Sequence, residues 1–278
     1  MTKNKILRIL KYVMLSLIAL VSIFPFAWML IGMTNNSVDI TAGKLKIGGE
    51  FFNNLSNLFA SDLDFVGAIG NSAKVAIITT ILALLISSAA GYGFEIYKTK
   101  KRERVFNILL VSMMVPFAAL MIPLFKMFSN FSSWGLDAIG IDSLFSLIIP
   151  SISTAFLIFF FRQNTKSFPK EMLEAARIDG VSEIGLFFKI YMPTIKSTYA
   201  AAAIITFMNC WNNYIWPLIA IQSPGKRTLP LILSAMGASY TPDYGMIMCG
   251  IVIATIPTAI IFMVMQKHFV AGMIGSVK

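Results

Sequence analysis

The chain has 278 residues, 57% of them hydrophobic, and a formal charge of +10, with a mean hydropathy of +0.76; soluble domains hold roughly 45–50% apolar residues. An ordinary soluble globule is therefore excluded, and because the basic residues fall in short blocks between apolar runs, the charge reads as membrane topology rather than nucleic-acid binding. Cys210 and Cys249 sit inside apolar runs away from any His or Cys at ligand spacing, so neither a disulfide nor a metal site is expected.

Charge-free stretches occur at 12–33, 75–94, 105–125, 143–161, 197–222 and 244–266. Each can cross roughly 30 Å of hydrocarbon as a helix. With their flanks they predict an all-α membrane protein, one transmembrane domain over 1–278, with spans at about 12–33, 71–94, 105–128, 143–161, 197–222 and 244–266. The first follows Lys3, Lys5, Arg8 and Lys11, as in a signal peptide, but it is longer than an h-region and reads as an uncleaved span. The segment 34–71 is polar and predicts an external loop with a short interfacial helix near 51–59.

Prolines 25, 116, 123, 150, 217 and 257 fall within or at the rims of spans and mark kinks in a packed bundle. If the N-terminus is cytoplasmic, the inner segments hold the first basic cluster, the blocks at 98–104 and 162–196, and Lys267 and Lys278. The outer loops then hold only Lys44, Lys46, Lys226 and Arg227, with Lys74 and Lys126 at span edges. Both termini are accordingly expected on the cytoplasmic side of a cell membrane.

The charge-free stretches hold no Asp, Glu, Lys or Arg, and the single His, His268, lies just past the last of them; ion-coupled transport is disfavoured on that ground. Gly225, Lys226, Arg227 and Thr228 lack the Gly and Ser/Thr positions of a phosphate loop. Any ATP and Mg must then be held by a partner, with no cofactor in this chain. No nucleophile elbow or zinc-protease pair is present, so the chain does not read as an enzyme.

Between the fourth and fifth spans, at 163–195, Pro169, Glu171 and Glu174 suit a helix start and Gly180 a stop. A second helix is expected at 182–191, closed by Pro193. Ala175 and Ala176 allow close approach of another surface, and Glu174 offers it a charge. On composition alone an ordinary amphipathic loop helix is the preferred reading.

Glu174, Ala175, Ala176, Gly180, Ile190 and Pro193 stand at the spacing Glu-Ala-Ala, three residues, Gly, nine residues, Ile, one residue, Leu-Pro, with Met192 in place of Leu. This resembles the cytoplasmic coupling loop of ABC importer permeases, and the resemblance implies that Glu174, Ala175, Ala176, Asp179, Gly180, Ile190 and Pro193 meet an ATP-binding subunit. The run from Trp211 to Leu218, then Arg227 to Pro230, and the ending from Gln266 to Lys278 are similar to the shorter permease of maltose-type carbohydrate importers. That likeness implies a six-helix permease fold, a homologous permease partner, two ATP-binding subunits, an extracellular solute-binding protein and a carbohydrate cargo. It also implies that the tail, including His268, Gly272 and Lys278, reaches the ATPases, and that 223–242 touches the binding protein.

Asn209, Asn212, Asn213 and Trp216 recur at three- and four-residue intervals, which places amides and an indole on one helical face. Such a stripe suits a sugar path; it equally suits glue between helices. The expected function is the membrane subunit of an ATP-driven sugar importer. Alternatives are the same machine for a solute such as glycerol phosphate, an ion-coupled carrier, or a scaffold.

Overall fold

Long charge-free runs leave the backbone only one way to satisfy its own polar groups in hydrocarbon, and the chain takes it: no strand occurs among the described residues. The computed structural model describes residues 2–274, with side chains from 5 to 266. In chain order the helices are α1 (Thr2–Gly32), α2 (Ser37–Thr41), α3 (Phe51–Ala60), α4 (Phe65–Ile96), α5 (Lys100–Ser112), α6 (Phe117–Ser133), α7 (Leu144–Ile148) and α8 (Ala155–Thr165). There follow α9 (Glu171–Ile178), α10 (Glu183–Gly185), α11 (Met192–Thr194), α12 (Lys196–Trp211), α13 (Ile215–Ala220), α14 (Leu229–Gly237) and α15 (Tyr244–Ile274). The expected short helix near 51–59 is α3.

Among the described residues four helical segments are long and apolar enough to cross a membrane, Lys5–Gly32, Phe65–Ile96, Leu144–Thr165 and Tyr244–Gln266. The pair α5 and α6 makes a fifth if it crosses as one, bent by 102°. Three of the six expected spans are not continuous helices: 143–161 is interrupted between the 3₁₀ turn Ile149–Ser151 and α8, and two others break as well. The stretch 105–128 breaks at 113–116, where Pro116 is extended (φ −66°, ψ 139°) and caps α6; a proline also biases its predecessor away from helix. The stretch 197–222 breaks at 212–214, and α12, at 16 residues, falls short of the ~20 needed to span. Pro217 is the third residue of α13, where its missing N–H is one of those no helix start can pair; in a continuous helix its ring would strike the carbonyl of Asn213. Pro25 and Pro257, by contrast, stay inside α1 and α15.

The chain divides into two compact units, the first made of Met1–Phe65 and Ile232–Ile256 and the second of Val66–Leu231 and Pro257–Lys278. In the first, amides tie the turn after α1 to its neighbours. Asn35 Nδ2 donates to the carbonyls of Ile31 (2.8 Å) and Lys46 (2.8 Å), and Asn54 Nδ2 to those of Met33 (3.0 Å) and Asn35 (2.9 Å). Gly245 lies against this knot so closely that a Cβ there would fall 2.5 Å from the Asn54 amide.

In the second unit, α4 and α8 approach at Gly91, where a Cβ would stand 2.8 Å from the backbone nitrogen of Arg162. One apolar core joins Tyr92, Phe161, Leu173, Leu186, Phe187 and Tyr191. Another gathers Val75, Phe128, Leu147, Trp216 and Leu231, with Trp216 Nε1 donating to the carbonyl of Ser146 at 2.9 Å.

Asp142 fastens the segment after α13. It adopts left-handed backbone (φ 56°), which aspartate tolerates better than most residues, and its N–H donates to the Ala220 carbonyl at 2.8 Å. Its Oδ1 accepts from the N–H groups of Gln222 (2.8 Å) and Ser223 (2.9 Å), and its Oδ2 from the Ser223 hydroxyl and, at 3.4 Å, Lys226 Nζ. Burial pushes the carboxyl up, but the Ser223 hydroxyl and amide, the Gln222 amide and Lys226 together outweigh it and hold it at about 2. Asp142→Ala should therefore lower hydrogen-exchange protection at Gln222 and Ser223 about tenfold or more, given ~1.5–3 kcal/mol per charged hydrogen bond. In the unsubstituted chain a depressed carboxyl contributes fully above the ordinary value of ~3.9 and is lost only as pH falls through about 2. Protection at these amides, corrected for intrinsic exchange, should then stay level from about pH 8 to about pH 4; a decline inside that window would contradict the assignment.

Candidate functional site

The loop after α8 is built by local caps. Helix α9 begins beyond Pro169 with Glu171 and Glu174 in its first turns, where carboxylates oppose the positive helix end. Its stop is a Schellman turn: Gly180 takes φ +80°, its N–H bonds the carbonyl of Arg177 at 3.0 Å, and Val181 N–H bonds that of Ala176 at 3.0 Å. Ser182 then caps α10 by accepting from Gly185 N–H at 3.2 Å. Helical structure continues through a π turn at Leu186–Tyr191 into α11. Pro193 lies inside α11 and does not close the second helix as expected; the wide turn ahead of it absorbs the missing N–H, and the break falls at Ile195 (φ −98°, ψ 30°).

The residues expected to meet an ATP-binding subunit divide into two sets. Glu174, Ala175, Asp179, Gly180 and Pro193 are exposed. Ala176 is buried and Ile190 partly buried against the chain's own core, so the paired alanines do not both face outward: Leu173 and Ala176 hold the helix down while Ala175 looks out. Beside them stand exposed apolar side chains that the motif did not single out, Met172, Ile178 (87% exposed), Ile184 (73%) and Phe188. Their signal was available in the spacing of Met172, Ala175 and Ile178, opposite the buried Leu173 and Ala176.

The two halves of the loop are pinned to each other and to the foot of α4. Arg177 donates to Glu183 through Nε (2.8 Å) and Nη2 (3.1 Å), a bidentate pair, and the Tyr97 hydroxyl also donates to Glu183. These bonds, Arg177 first and Tyr97 second, hold the Glu183 carboxyl well down, at about 2, and raise the Arg177 guanidinium in turn. The loop's core is aromatic: Tyr191 stacks on Phe187 at 5.6 Å and its hydroxyl meets that of Thr165 at 2.5 Å.

Beneath the loop lies an ion cluster that hydropathy placed at aqueous span ends. Arg162, 2% exposed, reaches Glu95 Oε2 through Nε at 3.3 Å and Glu103 Oε2 through Nη2 at 2.6 Å. Lys170 Nζ stands 3.7 Å from Glu95 Oε1, and the guanidinium carbon lies 3.9 Å from the centre of the Phe106 ring. Four segments, α4, α5, α8 and the lead into α9, thus share one set of charges.

The amide stripe is only partly brought together. Asn209 and Asn213 line a cavity of about 120 Å³ together with Ser151, Thr154, Phe156, Leu157, Ile205, Thr206 and Cys210. Asn212 instead turns its Nδ2 back to the Met208 carbonyl at 3.0 Å. Trp216, 2% exposed, belongs to the core around Phe128; the helix break at 212–214 separates it from the stripe, so it is no part of this cavity. The side chains of His268, Gly272 and Lys278 lie outside the described residues.

Arg162→Met would leave Glu95 buried beside only a distant lysine, and should cost about 3 kcal/mol. Glu95→Leu combined with Arg162→Met should restore most of it. Thermal unfolding of the detergent-purified protein checks this, and a single variant as stable as the parent would show that the cluster contributes nothing to the fold.

Residues 83–275 match the model of a family described as binding-protein-dependent transport system inner membrane component. The chain is 47% identical over 270 residues to the lactose transport system permease protein LacG of Rhizobium radiobacter, covering 97% of this chain and 96% of that one. It is 36% identical over 272 residues to the arabinooligosaccharides transport system permease protein AraQ of Bacillus subtilis, covering 96% and 93%. In fold it is similar to a chain in the crystal structure of a bacterial ABC transporter involved in the import of the acidic polysaccharide alginate, with a TM-score of 0.84, 22% identity, and coverage of 96% and 98%. The chain belongs to the binding-protein-dependent transport system inner membrane components, the permease subunits of ABC importers, and is a multi-pass transport subunit of the membrane rather than an enzyme.

Proposed function

We propose that this chain is one of two homologous permeases in an importer for a neutral oligosaccharide, driven by two ATP-binding subunits that hold ATP and Mg and fed by an external solute-binding protein. The single observation that carries the reading is the loop at 171–194: an exposed crown of Glu174, Ala175, Ile178, Ile184 and Phe188 on a base fixed by Arg177, Glu183 and Tyr97. An exposed apolar crown with one charge and a rigid base suits docking into another subunit's cleft. In this arrangement the chain crosses the membrane six times as a single permease domain, by α1, α4, the bent α5–α6 pair, α7 with α8, the broken α12–α13 pair and α15. Both termini and the docking loop then face the cytoplasm. ATP binding draws the two motor subunits together, the loop follows, and the spans turn the solute path outward.

A neutral cargo is favoured by the cavity at Asn209 and Asn213, whose lining carries hydroxyls and amides and no cation, whereas a phosphorylated solute calls for Arg or Lys. The names of the two sugar-permease relatives, at 47% and 36% identity, support the same class. Asn212, on the same broken span, is assigned to the path's wall and Trp216 to its scaffold. The tail from His268 through Gly272 to Lys278 is assigned to contact with the ATP-binding subunits.

Reconstitution with the partner permease, the ATP-binding subunits and the binding protein should give ATP-dependent uptake of lactose or an arabino-oligosaccharide. Glu174→Arg places a like charge against a cationic partner surface, which costs several kcal/mol. It should cut uptake about tenfold or more at unchanged membrane abundance. Normal uptake by that variant would remove the docking role, and uptake driven by an ion gradient alone would remove the importer reading.

A further inference from the structure

Two helix breaks converge on one place. The first lies between the 3₁₀ turn Ile149–Ser151 and α8, which Thr154 caps. The second lies at 212–214, between α12 and α13. Ser151 and Thr154 from one break, and Asn209 and Asn213 from the other, line the same cavity. Ser153, Thr154 and Asn212 are exposed at these breaks. Both breaks fall inside long apolar stretches, where non-helical backbone is tolerated only if it is buried in protein or faces a wet cavity. Exposed breaks around a cavity that sets amides and hydroxyls among apolar side chains suit the second condition, and paired broken helices are a recurrent way of making a solute site at membrane depth.

The lining fits one chemistry. Two carboxamides and the hydroxyls of Ser151, Thr154 and Thr206 supply donors and acceptors without a charge. Thr154 spends an acceptor on Leu157 N–H at 3.3 Å and keeps its O–H to donate. Phe156 is exposed at the cavity rim and lies nearly parallel to Phe160, ring centres 6.4 Å apart and planes at 27°, so it offers an apolar face to sugar C–H groups. The volume of about 120 Å³ is that of about four liquid waters, enough for the hydroxyl-bearing edge of one sugar ring and too small for an oligosaccharide.

We propose that this cavity is a hydroxyl-binding subsite for one ring of a neutral sugar, with Asn209, Asn213 and Ser151 as specificity-determining residues, so that this subunit itself selects cargo. The inference rests on the importer reading and adds to it that the cargo touches this chain between α8 and α12. Cys210 lines the same cavity, which gives a probe independent of transport rate.

The test uses the reconstituted complex, with lactose as the probe. Asn209→Leu and Asn213→Leu should each raise the KM for lactose uptake about fivefold, the equivalent of one hydrogen bond, with a smaller change in maximal rate. In a Cys249→Ser background, saturating lactose should slow modification of Cys210 by a small methanethiosulfonate reagent several-fold, read by mass spectrometry of this chain. This second arm holds even if a leucine variant fails to fold. Lactose uptake with unaltered KM in the variants, or with Cys210 labelled at one rate with and without lactose, would overturn the subsite and leave the importer reading standing. No ATP-dependent uptake of lactose or an arabino-oligosaccharide by the parent complex would overturn both.

Discussion

Proline in a medium that offers no water to a broken backbone is the constraint from which most of this architecture follows. Pro116, Pro150 and Pro217 each coincide with an interruption of an apolar helical stretch, and every freed carbonyl and N–H has to be met by something other than lipid. The chain meets them with specific partners. Trp216 Nε1 bonds the Ser146 carbonyl across from α13, and Asp142 accepts from the N–H groups of Gln222 and Ser223 just beyond it. At the breaks near Pro150 and Pro217, what remains exposed lies beside the cavity lined by Ser151, Thr154, Asn209 and Asn213. A packing problem created by prolines thus leaves irregular backbone beside a cavity that carries amides and hydroxyls.

The buried charges answer a different need. Arg162 is removed from water, and such a group is stable only with well-placed counter-charges; Glu95, Glu103 and the face of Phe106 supply them. Because those partners come from two helices other than its own, α4 and α5, and Lys170 adds the lead into the loop at 171–194, any displacement of that loop has to rearrange charge that cannot be left unpaired. An apolar contact at the same place could slide. An ion cluster with fixed partners holds until it switches.

How far the sequence disclosed this depended on how local each signal was. Gly180, Ser182 and the acidic first turn of α9 act on residues within five positions, and the loop they bound was legible. Asn209 and Asn213, one helical turn apart, were legible as a pair. Their partners Ser151 and Thr154 come from another span, and nothing in their neighbourhood marks them. Prolines look alike in sequence: Pro25 and Pro257 sit deep inside helices while Pro116 and Pro217 stand at the starts of helices that follow a break, and the difference lies in whether distant groups can take up the freed bonds. Hydropathy likewise put Glu95 and Arg162 at wet ends, since a window average cannot register that two charges 67 positions apart neutralise each other in the interior.

The loop at 171–194 and the cavity lie at opposite ends of the same two helices. Helix α8 carries Thr154 at its start, Arg162 near its end and Thr165, which meets Tyr191 of the loop, at its last residue. Helix α12 begins directly after the loop, where Thr198 donates to Asn164 of α8 at 3.3 Å, and ends at the cavity with Asn209. Tyr199, one turn in, also bonds Ser88 of α4 at 2.6 Å. Eleven residues of α8 span about 16 Å at 1.5 Å per residue, a rod too short to bend much and tied at its foot by charge. A tilt imposed at the foot therefore has to move the head, where Thr154 and Asn209 face one cavity. In the proposed importer, transport then needs no chemistry in this chain, only two stiff helices whose polar ends a motor can draw apart.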